Sequence, residues 1–310
     1  MKEPNLLPEI ESYAVAIAGK AGEILLSQFR RPLAVEFKDK RKRDPVTAAD
    51  HQSDDHLRAA IKERFPEHGI VSEEGEVAGD SGSPFTWVLD PLDGTINYMN
   101  GLPLFAVSVG VLRDGRPVAG AIFTPVTHKA TAGVYHARFG NGAWLNDEKL
   151  SVLTAPSGRP LTAMPMGGPF RLTGQSGKLP HESRSTGSIA IDLAFAASGV
   201  FQYALFGHPR IWDVAAGVLL ATEAGGSALA KRKGGRWLPL DRFEPVASEK
   251  QTLKGLHDWS NPLLAGSTEA VANAARDMRG PAIWLGVKGW LGLGRRKRRQ
   301  AVPGQGPRQH

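Results

Sequence analysis

An apolar run, Trp-Val-Leu at 87–89, meets Asp90 with no polar residue in between. Pro91-Leu92 separates it from Asp93, and Gly94-Thr95 follows at once. A strand that leads out of a core straight into two acids restricts the fold sharply. Carboxylates near one another raise each other's pKa, and taking them out of water is unfavourable without a counter-charge. Other acids stand at comparable places. Glu73 and Glu74 end the run "GIVSEEG", Asp213 follows Trp212 at the head of a helical stretch, and Asp44 and Asp50 flank the start of another. Taken singly, each has a plainer reading. D-x-x-D-G suits a surface turn, Glu73-Glu74 a solvated loop, Asp50 a capping box with Thr47, and Asp213 a first-turn acid facing the helix dipole. Taken together, they point to a divalent cation held by oxygen atoms, with Mg²⁺, Mn²⁺ or Ca²⁺ as candidates. The chain has no cysteine, which removes disulfides, thiolate metal sites and cysteine nucleophiles. A rigid turn at Pro91 would bring Asp90 and Asp93 to one locus, with the Leu92 carbonyl as a further ligand. If a short helix begins at Gly94-Thr95, its free N–H groups would face an anion. Phosphoryl transfer to a metal-activated water is the chemistry such a pairing suits.

Periodicity places these acids on elements. Leu6, Ile10, Ile17, Ile24 and Leu25 recur at helical spacing near the N-terminus. A second helix follows Thr47, with Leu57, Ile61 and Phe65 on one face. "GIVSEEG" and "TWVLD" read as strands, and "FAVSVGVLRDGRPVAGAIFTP" as a hairpin turning at Asp114-Gly115. "GSIAIDLAFAASG" and "WDVAAGVLLATEAGG" read as helices, and "PLLAGSTEAVANAARDM" as a strand and helix. Alternating strands and helices with intruding hairpins predict an α/β protein with mixed sheets. Residues 1–280 are expected to form the body, with a soft internal boundary near 150–185. Residues 281–310 are expected to be an appended tail.

The blocks "DPVTAAD" (44–50), "IVSEEG" (70–75), "WVLDPLDGTINYMNGLP" (87–103) and "WDVAAGVLLATEAGG" (212–226) resemble the signature blocks of the inositol monophosphatase family. That family lies within the lithium-sensitive, Mg²⁺-dependent phosphatase superfamily. "GNGAWLND" and "RSTGSIAIDLAFAASG" extend the likeness to about residues 5–280. The resemblance implies a layered αβαβα sandwich of mixed sheets and helix pairs, and hydrolysis of a small phosphomonoester with several Mg²⁺ ions. It implies that Glu73, Asp90, Asp93, Asp213 and the Leu92 carbonyl are metal ligands. Gly94 and Thr95 would bind phosphate through backbone N–H, with Asp93 and Asp213 on the substrate side. Thr95 and Asp50 would orient and deprotonate the attacking water, Glu73 would assist, and Glu74 would be supporting. Lys38 matches a family lysine near the site, although the loop "KDKRKR" reads first as solvated. The family is commonly dimeric.

Three departures accompany the likeness. Leu205 falls about where the family's inositol-type enzymes carry a substrate-binding glutamate, which leaves His208 or Arg210 to meet a different, anionic substrate or to be plain loop. Residues 155–183 are short and rich in Gly and Pro. The tail adds Trp284, Trp290 and a basic block, Arg295 to Arg299. Its seven basic and no acidic residues account for the whole formal +7, so residues 1–280 are balanced. An inositol-1-phosphate-like substrate leads, with fructose 1,6-bisphosphate, histidinol phosphate and 3′-phosphoadenosine 5′-phosphate as alternatives. A rival reading is a non-catalytic scaffold that uses the tail on an anionic membrane or, without specificity, on nucleic acid. No stretch reads as a signal peptide or bilayer span, so a cytoplasmic protein is expected, with peripheral membrane contact through the tail as a further reading.

Overall fold

The structure is a computed structural model of the chain and describes residues 6–31, 35–37, 45–75, 82–152, 160–164, 182–232, 235–244 and 253–278. The expectations for Lys38, Asp44, most of 155–183 and all of 281–310 fall outside the described residues.

The first half runs α1 (Leu7–Gln28), β1 (Val35–Phe37), β2 (Pro45–Thr47), α2 (Ala48–Arg64), β3 (Gly69–Ser72), β4 (Phe85–Asp93) and α3 (Thr95–Met99). It continues with β5 (Ala106–Arg113), β6 (Arg116–Thr124), β7 (Gly133–Arg138), β8 (Gly142–Leu145) and β9 (Glu148–Lys149). The second half runs β10 (Leu161–Ala163), β11 (Glu182–Arg184), α4 (Ile189–Ala197), β12 (Phe201–Phe206), α5 (Ile211–Glu223), β13 (Ser227–Lys231), β14 (Trp237–Pro239), α6 (Leu253–His257), β15 (Leu263–Gly266) and α7 (Thr268–Asp277). A seven-stranded sheet, β3-β4-β5-β6-β7-β8-β9, and a six-stranded sheet, β11-β10-β12-β15-β13-β14, are both mixed. Helices α1 and α2 cover the outer face of the first sheet, α4 and α5 lie between the sheets, and α7 covers the second. This is the expected αβαβα sandwich.

The local chemistry accounts for the elements that carry the acids. Ile10, Ile17 and Leu25 of α1 and Leu57 and Ile61 of α2 are buried against Trp87 and Leu89 of β4. Thr47 caps α2, its Oγ1 accepting from the Ala49 N–H at 3.2 Å. Asp114 and Gly115 both have positive φ, 51° and 79°, which gives the β5–β6 hairpin its two-residue turn. Helix α5 lies unusually close to the first sheet because Gly110 and Gly120 face it. A Cβ on Gly120 would stand 2.9 Å from the Ala216 Cα. Among the described residues, no helix is long and apolar enough to cross a membrane.

An ion cluster ties α1 to β7. Glu11 accepts from His136 Nδ1 and from Arg138 Nε, each at 2.9 Å, while His136 Nε2 lies 2.8 Å from the Asn146 carbonyl. Both imidazole nitrogens therefore face acceptors, which suits the imidazolium.

The expected turn at Pro91 is a different device. Asp90 pairs with Ser108 and Asp93 with Ala106, so three steps along β4 match two along β5. This is a β-bulge within a continuous strand. Residues three apart on a regular strand point to opposite faces. Here the extra residue returns Asp93 to the face of Asp90, and Leu92 turns into the α1–α2 core. Neighbours on that face bear this out. Ser108 Oγ donates to the Trp212 carbonyl of α5 at 3.1 Å, and Ala106 packs with Ala190, Ile191 and Ala216 of α4 and α5.

Candidate active site

Asp90 and Asp93 thus both face the interior layer, at the end of β4. Glu73 follows β3 directly, and its N–H donates to the Leu89 carbonyl at 3.0 Å, one residue short of Asp90. Asp213 is in the first turn of α5, where its Oδ2 accepts from the Arg210 N–H at 2.7 Å. Asp50 is in the first turn of α2. Its Oδ2 accepts from Thr47 N at 2.8 Å and from Thr47 Oγ1 at 2.5 Å. The capping explanations for Asp50 and Asp213 are therefore correct as far as they go. In each case the cap engages one carboxylate oxygen, Oδ2.

The acids sense one another's charge. Burial first, then the charges of Glu73, Asp93 and Asp213, push the Asp90 carboxyl well above the usual range. Asp213 is pushed up well above it by burial and by the charges of Asp93 and Glu73, which outweigh the opposing Arg210 amide and guanidinium. Burial raises Asp93 to about 6, although the Ser188 hydroxyl and the Ala190 amide oppose the shift. Asp50 is raised by burial against the pull of its Thr47 bonds, with a contribution from Glu73. The four expected ligands and Asp50 therefore form one electrostatic group, drawn from β3, β4, α2 and α5.

They do not yet form a closed shell. Among the described residues, no group of three or more His, Cys, Asp or Glu side chains is placed to hold a metal ion as it stands. The donor set nonetheless fits a hard divalent ion. It is all oxygen and rich in negative charge, with Asp90 and Asp93 buried where those charges are unfavourable alone.

Beside the acids the chain turns sharply. Gly94 has φ 91° and ψ 35°, and α3 starts at Thr95. A Cβ on Gly94 would stand 2.9 Å from the Leu104 carbonyl, so both conformation and space require glycine. Thr95 Oγ1 lies 3.1 Å from the Leu92 carbonyl and 3.4 Å from Asp50 Oδ1. Leu92, Thr95 and Asp50 thus meet at one point. Glu74 is buried, and its carbonyl accepts from the Arg58 guanidinium. Arg58 also donates to Asp54 at 2.6 Å, and Asp54 accepts from Ser72 Oγ at 2.5 Å.

Leu205 does not face the acids. Along β12, Tyr203 and Leu205 join the cluster under α7, while Ala204 and Phe206 join the one beneath α4 and α5. The last β12 residue on the site side is therefore Phe206, which is also apolar. His208 and Arg210 are exposed, and the Arg210 guanidinium sits 6.0 Å from the Trp212 ring centroid.

Sequence reasoning missed several polar residues around the acids: Ser188, which bonds Asp93 directly, Thr186 and Asp192 beside it, and Ser53 and Ser108, whose hydroxyls donate to the Pro91 and Trp212 carbonyls. Ser188 was findable, because a serine just before an apolar helix is an N-cap signal.

Comparison with known proteins accords with this arrangement. A family model described as the inositol monophosphatase family matches residues 6–261. The chain is 32% identical over 249 residues to an inositol-1-monophosphatase of Rhizobium meliloti, covering 77% of this chain and 91% of that one. It is 37% identical over 230 residues to Nus factor SuhB of Escherichia coli K12, covering 69% and 82%. A solved structure described as an IMPase/NADP phosphatase complexed with Mg²⁺ and phosphate superposes with a TM-score of 0.70. It has 20% identity, covers 89% of this chain and 97% of the other, and so speaks to the fold alone.

Proposed function

The chain belongs to the inositol monophosphatase family, and from that premise we propose that it hydrolyses a small phosphomonoester to the alcohol and inorganic phosphate with Mg²⁺ as cofactor. The observation that carries this reading is the mutual charge of buried Asp90 and Asp93 with half-buried Glu73 and Asp213, brought together from the ends of two strands and the head of a helix. Those four side chains and the Leu92 carbonyl would hold the ion. When bound, Mg²⁺ supplies charge neutralisation at the phosphoryl oxygens and lowers the pKa of water.

The chain's own groups do the rest. The turn at Gly94 presents the backbone N–H groups of Gly94 and Thr95 to the phosphate. Thr95 Oγ1, between Leu92 O and Asp50 Oδ1, orients the attacking water. Asp50, whose pKa is raised by burial, takes its proton. A general base works best when its pKa approaches the working pH. Glu73 assists from the neighbouring strand end, and Glu74 supports the turn that presents it.

An inositol-1-phosphate-like substrate leads through the Rhizobium relative's name. The apolar end of β12 and the exposed His208 and Arg210 favour a substrate with a second anionic group, such as a sugar bisphosphate or a nucleotide. The relative named as a Nus factor favours a second reading, a scaffold role. The acid set weighs against it, since repulsion around the buried Asp90 and Asp93 has no use in a protein that binds no cation.

The test is a panel of phosphomonoesters, assayed for phosphate release with and without Mg²⁺ and with added Li⁺. Turnover should require Mg²⁺, fall with Li⁺, and vanish in Asp90→Asn and Asp213→Asn. Full turnover by EDTA-treated protein would overturn the reading.

A further inference from the structure

Asp93 is held differently from the other acids. Its Oδ2 accepts two short bonds, from Ser188 Oγ and from the Ala190 N–H, each at 2.6 Å. Ser188 is the N-cap of α4, and its Oγ also accepts from the Ile191 N–H at 3.2 Å. The hydroxyl is thus used in both directions: as acceptor it starts the helix, and as donor it grips Asp93. The loop before it is fixed in turn. Thr186 Oγ1 accepts from the Ser188 N–H at 3.2 Å and lies 2.8 Å from Asp192 Oδ1, one turn into α4. Asn97 of α3 donates to the Thr186 carbonyl at 2.8 Å and to the Leu104 carbonyl at 2.6 Å. Thr186, Ser188, Asp192 and Asn97 are buried or half-buried.

From this geometry we infer that Ser188 is a positioning residue for Asp93, committing one carboxylate oxygen to the protein and leaving Oδ1 to face the cation. The Thr186–Asp192 contact is the brace that holds Ser188 in register. A carboxylate free to rotate would offer either oxygen, or both at once. Pinned by two donors on Oδ2, it turns the other oxygen, Oδ1, in a fixed direction. The inference rests on the phosphatase reading, because it assigns Ser188 a role toward the ion which that reading invokes.

The test is isothermal titration calorimetry of the full chain with MgCl₂, alongside melting temperatures and steady-state kinetics. Ser188→Ala should weaken Mg²⁺ affinity by about 10–100-fold, the range typical of losing a group that orients a ligand. Ser188→Thr, which keeps the hydroxyl, should restore it. Ser188→Gly separates positioning from capping, because glycine is a tolerable N-cap without a hydroxyl. It should retain more thermal stability than Ser188→Ala yet bind Mg²⁺ as weakly. Thr186→Val should weaken binding in the same direction. If wild-type protein binds Mg²⁺ and folded Ser188→Ala and Ser188→Gly bind it within twofold of wild type, the inference fails alone. If wild-type protein shows neither Mg²⁺ binding nor turnover, the phosphatase reading fails and takes the inference with it.

Discussion

Asp90 shows what an acid at the end of a core strand does to a protein before any ion arrives. It is almost fully buried, its nearest charges are negative, and its carboxylate accepts from the Leu92 amide at 3.1 Å. Removing its charge while keeping its shape should relieve repulsion. Metal-free Asp90→Asn is therefore expected to be more stable than metal-free wild type at pH 7, by on the order of 1–2 kcal/mol. Urea unfolding in EDTA measures this, and a less stable variant would contradict the electrostatic account. Burial sets a pH dependence as well. Asp93 rises from 3.8 to about 6 on folding. A raised pKa gives stability that is complete below 3.8 and is lost as pH climbs towards about 6. Metal-free protein should lose this contribution across that interval, and saturating Mg²⁺ should abolish the loss.

At the scale of elements, the site depends on how strands end and helices begin. Thr47 is both the cap of α2 and the donor that fixes Asp50. Thr47→Ala should cost about 1 kcal/mol of stability and lower kcat more than it raises KM, while Thr47→Ser restores both. Chemical denaturation and steady-state kinetics would show whether the two effects separate. Elements of this kind were legible in the sequence, because caps, turns and helical periodicity are local signals. Thr47, the Asp114-Gly115 hairpin and the helix after Gly94 all stand where their residues indicate. The bulge at Pro91-Leu92 was not legible. Proline beside an acid reads as a turn, and only pairing with β5 shows that the strand continues and that Asp93 regains the face of Asp90. The partner of Asp93 was hidden for the same reason, since Ser188 comes from a different part of the chain. In the second sheet, the pattern of "FQYALF" assigned no element. It is the buried strand β12, whose near-continuous apolarity comes from helices on both faces.

For the molecule as a whole, the Glu11–His136–Arg138 cluster joins the outer helical layer to the first sheet. Burial tends to raise the pKa of Glu11, but its bonds to His136 and Arg138 win and hold it below 4.5. Burial tends to lower that of His136, but its bonds to Glu11 and the Asn146 carbonyl win and hold it above 6.5. Glu11 stabilises the fold above 4.5 and ceases to as pH falls through its depressed value. His136 stabilises it fully below 6.5 and ceases to as pH rises through its elevated value. The difference in unfolding free energy between wild type and Glu11→Gln should therefore be largest between 4.5 and 6.5. It should reach roughly 3 kcal/mol, as for a buried pair broken on one side, and shrink on either flank. A pH-independent difference would show that the cluster is merely packing. Finally, the acids whose charges act on one another come from the end of β3, from β4 and from the head of α5, far apart along the polypeptide. An ion shared by them would behave as a removable cross-link. Its arrival should slow amide hydrogen–deuterium exchange in β4 and α5 together, and chelation should release both at once.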